Sequence, residues 1–585
     1  MENKNDKIDV IRHSLSHLMS MTVQELYPQV SLGVGPTIEN GFYQDYDFPE
    51  AITPEILPKL EKRMRELIKK NIEFKQHDMD FAEAYKLYKN DPYKTELIDD
   101  LKTAGEKKVS FYKSDTFDNL CAGPHVASTK EINPEAFKLT KIAGAYWRGD
   151  EKNKMLTRIY GVAFETKQEL EDYLKMLEEA EKRDHRKLGK ELELFMISED
   201  VGKGLPLWLP KGAFIRKKLE DYMYAKELER GYKYVYTPVL THKKLYETSG
   251  HLAHYKDDMY SPIDIEGEKY YLKPMNCPHH HMIYNNKPLS YKDLPLRMAE
   301  FGLCHRFERS GVLTGLIRAR CFTQNDSHIY CAKEDLKKEL LEVLDLFREV
   351  YEDFNIKDYW YRLSLPDFNN KEKYGDIENK EMWTEAGRVT EEALKEFGVK
   401  YVMGEGEASF YGPKIDVQIK NVLGKEDSIA TAQVDFYSPE RFGLEFTNNK
   451  GEKEKPVIVH RAIMGSFDRF FAFLVEQTAG AFPAWLAPEQ VWVLPISEKH
   501  MEYSDKITAQ LRAVGLRVLA KNESESIGKK IRAGEQQKIP YLLIVGDKEI
   551  EAAAVAVRQR GQGDLGQMNT EEFIEKINKE IKEKI

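Results

Sequence analysis

The sequence has no long apolar run. No stretch approaches the roughly 20 apolar residues that a membrane span requires, so no membrane partner is expected. Cysteine is scarce: Cys121, Cys277, Cys304, Cys321 and Cys331 are five in 585 residues. An odd number in a large chain argues against a disulfide framework and turns attention to metal binding or thiol chemistry. There is no excess of positive charge either, since 88 Lys and Arg stand against 98 Asp and Glu, a net charge of -10. That excludes a uniformly basic nucleic-acid binder while leaving room for local basic surfaces. The opening MENKNDKIDVIRHSLSH lacks the apolar centre and small-residue cleavage site of a secretory leader, so a cytoplasmic location is expected. Repeats and low-complexity segments are absent.

What is present is a globular balance, 41% hydrophobic and 32% charged. The length is about three to four times that of a single domain, so several cores are expected. Residues 1–164 mix helical periodicity with β-rich pieces such as LTRIYGVAF and read as one α+β domain. Residues 165–193 are charge-laced, with Leu170, Leu174 and Leu177 near helical spacing, and read as a connecting helix. In GAFIRKKLEDYMYAKELERG, Phe214, Ile215, Leu219, Tyr222 and Met223 share a helical face that closes on Gly231, and YKYVYTPVL follows as a strand. Within residues 194–487, LRMAEFGLCHRF, IRARCFTQNDSHIYC, KIDVQI and ATAQVDF predict an antiparallel sheet. Residues 488–585 alternate short apolar runs with helices, from VWVLPI to VAVRQR, and predict an α/β domain with a mixed sheet.

Four groups of residues carry chemistry. His13 and His17 lie four apart, on one face of a helix, and Cys121 and His125 repeat the spacing in CAGPH. Together they suit either a zinc site or a hydrolytic pocket in which imidazoles position water, and spacing leaves both open. In HRFER, Arg306 and Glu308 alternate on an expected strand, an arginine fork for phosphate beside an acceptor for amines. The run CFTQNDSHIYC aims Phe322, Gln324, Asp326 and His328 at one side, which describes the floor of a site for a small polar ligand. Finally, HRAIMGSFDRFFAFLVE starts a helix near Gly465 with Arg469 in its first turns, a ready anion site above a core face of Phe467, Phe470, Phe471 and Leu474.

The blocks KPMNCP, HRFER, FTQNDSHIYC, YGPKID and HRAIMGSFDRF resemble the catalytic core of threonyl-tRNA synthetases, and FKLTKIAGAYWRGDEKNKMLTRIYGVAF is similar to that family's editing domain. The resemblance covers nearly the whole chain. It implies a multidomain α+β and α/β protein: an editing domain (1–164), a linker helix (165–193), a class II antiparallel-sheet core (194–487) and an α/β anticodon-binding domain (488–585). The form it resembles lacks the small N-terminal ubiquitin-like module. By the resemblance Cys277, His328 and His460 hold one zinc ion per subunit, and magnesium accompanies ATP. Arg306 meets the α-phosphate, Arg469 the polyphosphate, and Phe322 lies under adenine. Asp326 takes the threonine hydroxyl with Gln324 and Tyr411 nearby. Glu308, Arg318, Lys414 and Gln433 surround the adenylate, Met275 and Trp383 line the pocket, and His251 stands near the tRNA acceptor end. His13, His17, Lys94, Cys121 and His125 match the editing cluster, and Glu549 and Arg558 match anticodon contacts. The implied partners are tRNA-Thr, ATP, L-threonine and a second copy in a homodimer. Three positions depart from the family pattern: Asn119 where an acidic residue is common, His279 for a glycine, and Ser524 for an asparagine.

Overall fold

The computed structural model describes residues 7–370, 373–374 and 377–584. The chain divides into two compact units, Met1–Glu178 and Glu179–Ile585. The division falls inside the expected linker, which is not one helix. It is α2 (Lys167–Arg183) followed by α3 (His185–Glu191), and between them Asp184 turns its carboxylate onto the Arg186 backbone N–H as an N-cap. A capping residue satisfies the free donors of a new helix and so marks a break that charge patterning does not reveal.

In the first unit α1 (Lys7–Leu26) is buried on most of its circumference, from Ile11 to Val23. Such a helix must satisfy its own polar side chains. Ser14, Ser20 and Thr22 each donate to the carbonyl four residues earlier. The helix packs against the strand Gly41–Asp47, which pairs antiparallel with Met155–Ala163, itself paired with Phe137–Tyr146. A separate three-stranded sheet joins Lys75–Met79, Val109–Ser114 and Phe117–Leu120. This is the α+β domain expected from the sequence.

The second unit is built on an eight-stranded sheet. Its strands are β1 (Lys233–Tyr234), β2 (Leu296–His305), β3 (Cys321–Cys331), β4 (Tyr359–Leu365), β5 (Tyr401–Glu405), β6 (Lys414–Lys420), β7 (Glu426–Asp435) and β8 (Val457–Ser466), in spatial order β1-β2-β3-β8-β7-β6-β4-β5. All pairs inside the sheet are antiparallel, and only the two edge pairs are parallel. The strand expected over YKYVYTPVL shrinks to β1, because Pro238 offers no N–H to a ladder, and its last residue, Leu240, starts a separate strand that pairs at Leu272. One face of the sheet is covered by α6 (Leu336–Asp353), whose Leu336, Leu340, Val343, Phe347 and Val350 recur at helical spacing and are all buried. Helix α4 (Pro210–Glu229) buries Ile215, Leu219 and Met223, as its sequence predicts, and also Glu227. Near the C-terminus Val491–Pro495 pairs parallel with Val518–Ala520 and Tyr541–Val545, and Ala554–Gln559 and Gly563–Asn569 complete the expected mixed sheet antiparallel.

Glu227 lies in the core, paired on both sides. Its carboxylate receives Arg461 of β8 at 2.6 Å and Asn325 of β3 at 2.8 Å, and neither charged side chain has solvent exposure. Removing one partner of such a pair leaves the other uncompensated in a low dielectric. Glu227→Ala should therefore destabilise the second unit by about 3–5 kcal/mol, while Glu227→Leu combined with Arg461→Met should cost much less. Thermal and chemical unfolding of the three proteins tests this, and equal losses in the single and double variants would refute it.

Candidate active site

Strand β3 carries the site. Its odd members Thr323, Asn325 and Ser327 are buried against the core, while Phe322, Gln324 and Asp326 are only half-buried on the other face. His328 continues that second face. From Phe322 to His328 the row runs roughly 20 Å at strand spacing. One end opens into a cleft of about 370 Å³ lined by Arg306, Glu308, Arg318, Phe322, Gln324, Lys414, Gln433 and Arg469, among others. The other end reaches a buried group of side chains.

Arg306 and Glu308 do share the cleft, but not as strand neighbours: β2 ends at His305, and both belong to the loop that follows. The Arg306 guanidinium sits 5.1 Å over the Phe322 ring, with Nε donating to the Pro274 carbonyl at 3.4 Å. Arg318 Nε donates to Glu308 Oε2 at 2.8 Å. Arg469 lies in the first turn of α7 (Phe467–Thr478), where the Ser466 hydroxyl caps its backbone N–H. Its side chain donates to the carbonyls of Ile317 at 3.1 Å and Ser428 at 3.2 Å. Burial first, then the Arg306 and Arg318 charges, pull Arg469 below its ordinary value, with Asp427 and Glu308 opposing. Three guanidiniums that repel one another around one cleft form a seat for a polyanion. Lys414 pairs with Asp416 at 2.9 Å, and Gln433 accepts from the Ser409 hydroxyl at 2.7 Å and from the Tyr411 hydroxyl.

At the far end Cys277, which opens α5 (Cys277–Tyr284), meets His328 of β3 and His460 of β8, with one donor atom from each lying within 4.8 Å of the others. The imidazoles are fixed from behind. His460 Nε2 is 2.8 Å from Asp435, and His328 Nδ1 is 2.8 Å from His280. Each contact leaves the ring's other nitrogen for a ligand, and the Asp435 contact is the carboxylate-to-histidine support common at metal centres. One sulfur and two nitrogens, buried and convergent, match the donor chemistry of zinc. Beside them, Asn276 donates to Asp326 at 2.9 Å. The approach needs Gly302, where a Cβ would fall 2.2 Å from Asn276 Oδ1. Burial pushes the Asp326 carboxyl up, opposed by His280 and Asn276. Tyr411 stacks on His460 with centroids 4.7 Å apart. His251 Nε2 lies 3.2 Å from the Met275 sulfur and 4.0 Å from the Cys277 sulfur. Trp383 does not line the cleft; it packs with Tyr374, Ile377 and Ala408 in a cluster of its own. His279 is buried, with Nε2 2.7 Å from the Thr241 hydroxyl.

The sequence analysis missed Asp416, Asp435, Asn276 and His280. Asp416 follows Lys414 by two on one strand, a spacing that could have flagged it. The others act across the fold and leave no local signal.

In the first unit, Cys121 Sγ lies 3.3 Å from His13 and 3.2 Å from His125. Ser14 holds the other nitrogen of His125 at 3.2 Å, and Ser114 lies 3.2 Å from His17. Burial is the largest cause of every shift here. It lowers His17 to about 3 and His125 to about 2, and it brings the enclosed Lys94, which donates to the Gly33 carbonyl at 3.3 Å, to about 8. It raises the Cys121 thiol, with Lys94 opposing. The cluster therefore holds neutral imidazoles and a protonated thiol around neutral pH, with Lys94 as its cation. Asn119 accepts from the Tyr88 hydroxyl at 3.1 Å.

In the C-terminal sheet, Arg558 is partly exposed, 3.6 Å from Glu535. Glu549 is buried instead: its carboxylate accepts from the Gly546 N–H at 3.0 Å and from the Gln567 amide at 2.9 Å. Ser524 is exposed.

Known proteins match this layout in order. Residues 109–160 match the threonyl and alanyl tRNA synthetase second additional domain, residues 260–478 the tRNA synthetase class II core domain (G, H, P, S and T), and residues 490–580 the anticodon binding domain. A threonine–tRNA ligase of Geobacillus sp. strain WCH70 is 49% identical over 580 residues, spanning 99% of this chain and 89% of that protein. Threonine–tRNA ligase 1 of Bacillus subtilis is 47% identical over 584 residues, spanning 99% and 90%. Among solved structures, the RNA binding domain of threonyl-tRNA synthetase from Cryptosporidium parvum superposes with a TM-score of 0.63 at 35% identity, covering 68% of this chain and 98% of that one. Aligned over nearly its whole length at close to half identity, with the class II core and its flanking domains in the same sequence, the chain belongs to the threonine–tRNA ligase family of class II aminoacyl-tRNA synthetases.

Proposed function

We propose that the chain joins L-threonine to tRNA-Thr in the β3 cleft. The threonine carboxylate attacks the α-phosphate of ATP and pyrophosphate leaves. A hydroxyl of the terminal ribose of the tRNA then attacks the threonyl carbonyl, forming the ester as the acyl–phosphate bond breaks and AMP leaves. One observation carries the reading: Arg306, Arg318 and Arg469 converge on a cleft whose floor runs along β3 to a buried thiol and two imidazoles. The triphosphate relieves the repulsion among the guanidiniums, and Arg306 and Arg469 neutralise the charge that grows on phosphorus. Phe322 offers adenine a ring face, and Glu308, Lys414 and Gln433 frame the adenylate. Magnesium enters with ATP and offsets phosphate charge.

Cys277, His328 and His460 would hold one zinc ion per chain, which supplies a Lewis acid for the amino and hydroxyl groups of threonine. Asp326, held by Asn276, accepts the hydroxyl hydrogen bond, and Gln324 and Tyr411 complete the polar wall. Met275 and His251 close the thiol side, His251 toward the acceptor end of the tRNA, and Trp383 supports the pocket from its own cluster. Arg558 contacts the anticodon, and Glu549 contributes by orienting the exposed Gln567. A second copy covers the apolar side chains that α4 and its following segment expose, Tyr224, Leu228 and Tyr236, the last 88% exposed. We place the activity in the cytoplasm with its tRNA.

A site that accepts the hydroxyl of threonine also accepts serine, which lacks only a methyl worth about 10–200-fold in selectivity. We assign correction of that error to the first unit, where His13, His17, Lys94, Cys121 and His125 receive seryl-tRNA-Thr and position the attacking water.

Elemental analysis should find one zinc per chain, falling well below one in Cys277→Ser together with threonine-dependent ATP–pyrophosphate exchange; a metal-free yet active protein would rule the ligand assignment out. Arg306→Ala should slow adenylate formation by roughly 10²–10³-fold with little change in threonine binding, because its partner is charge that develops during reaction. Comparable losses in both would reassign it. In the first unit, His17→Ala and Cys121→Ala should leave threonine charging intact while seryl-tRNA-Thr accumulates. Lys94 is charged below about 8 and neutral above it, whereas His17 stays neutral down to about 3. Enzyme-dependent deacylation should therefore be level through pH 6–7, the ordinary histidine range, and fall above about pH 8 as the lysine charge is lost. A rate that titrates near 6.5 would contradict the buried-imidazole assignment.

A further inference from the structure

The loop between β2 and β3 supplies Glu308, Leu316, Ile317, Arg318 and Ala319 to the cleft, and one of its backbone N–H groups, that of Leu316, is bound by a residue outside it. His185, the first residue of α3, is 1% exposed. Its Nε2 accepts the Leu316 backbone N–H at 3.1 Å, and its Nδ1 lies 2.7 Å from Glu476 Oε1. A backbone N–H can only donate, so Nε2 is the bare nitrogen and Nδ1 carries the proton, given to Glu476. Glu476 belongs to α7, seven residues after Arg469 and therefore on the same helical face about two turns on. Arg469 in turn holds the next carbonyl of the loop, that of Ile317, at 3.1 Å. Helix α7 thus grips the turn twice, directly through Arg469 and indirectly through Glu476 and His185. Gly315 makes the approach possible: at φ +49 it lies in the left-handed region, and a Cβ there would fall 2.2 Å from His185 Nε2.

We propose that His185 is a positioning residue for the nucleotide cleft, acting as a neutral Nδ1–H imidazole that sets the Thr314–Arg318 turn and through it the Arg318–Glu308 pair. The clamp ties the placement of Arg318 to the helix bearing Arg469, so the two guanidiniums keep their spacing across the polyanion seat. The inference rests on the reading of that cleft as the ATP site.

The ring's two roles separate in two variants. The amide of Gln reaches the place of Nε2 and can present an oxygen to Leu316 N–H, whereas the amide of Asn reaches only the place of Nδ1 and can donate to Glu476. Threonine-dependent ATP–pyrophosphate exchange should show the KM for ATP raised about 10-fold in His185→Asn, the scale of one buried donor left unpaired, and largely rescued in His185→Gln. The KM for threonine should stay near the wild-type value in both. Amide hydrogen exchange at Leu316 should quicken in His185→Asn alone. If the two variants behave alike, if the two KM values rise together, or if only the melting temperature falls, His185 is structural and the inference is wrong. A wild-type chain without threonine-dependent exchange would instead overturn the reading of the cleft itself.

Discussion

The buried contact of Glu227 with Arg461 and Asn325 decides which way two strands face. Asn325 sits on β3 and Arg461 on β8, both turned inward to a carboxylate on α4, with Asn325 Nδ2 at 2.8 Å and Arg461 at 2.6 Å from Glu227. Because side chains alternate along a strand, anchoring Asn325 inward turns Gln324 and Asp326 outward, and anchoring Arg461 inward turns His460 outward. A slip of one residue would carry every side chain of the candidate site on that strand to the wrong face. Apolar side chains could fill the same space more cheaply than an ion pair, but they would pin the register less sharply, since any residue of suitable volume satisfies them. The Tyr234 hydroxyl on β1 and the Tyr232 hydroxyl join the same network, so the edge of the sheet is tied to its centre.

What depends on alternation was therefore legible in the sequence. Phe322, Gln324, Asp326 and His328 read as one face of a strand and are one, and α7 begins at Phe467, two residues past the expected start near Gly465, with Phe467, Phe470, Phe471 and Leu474 buried. The strand order of the sheet was not legible. Inside it, β3 pairs with β8, although four other strands of the sheet lie between them in the chain, and no local pattern encodes which partner an interior strand will take. Arg306 and Glu308 look like strand residues by spacing, yet the ladder stops at His305 and a loop brings both to the cleft. Glu549 matches an anticodon contact by its motif, and the structure adds a role that the motif does not show: its carboxylate accepts the Gly546 N–H at 3.0 Å and caps the short helix.

The groups that orient the site were the least visible. His280 meets His328 from 48 residues away and Asp435 meets His460 from 25, and in each case the partner lies on a different element. A ligating histidine is recognisable by type and motif; the residue that fixes its tautomer is defined only by the fold. The same holds for His185, whose partners Leu316 and Glu476 lie 131 and 291 residues away. In sequence it reads as one more charged position in a connecting helix. In the structure it is enclosed by the core.

The two candidate sites are built on opposite electrostatic plans, and the difference follows from what each must hold. The β3 cleft gathers three arginines and a lysine around Glu308 and Asp416, so its lining keeps an excess of positive charge that suits a polyanion. The cluster in the first unit does the reverse. Burial holds its imidazoles neutral and its thiol protonated, leaving Lys94 as a single enclosed cation whose own charge is weakened to about 8. An aminoacyl ester carries no phosphate at its reacting carbon, so a strongly cationic pocket would favour the backbone of the tRNA over the ester. A nearly neutral pocket with one cation places its positive charge only where an oxyanion forms. Asn119 fits that plan. An aspartate at the same place, only 7% exposed and two residues before Cys121, would add an anion that the single lysine would have to neutralise before it could stabilise anything else.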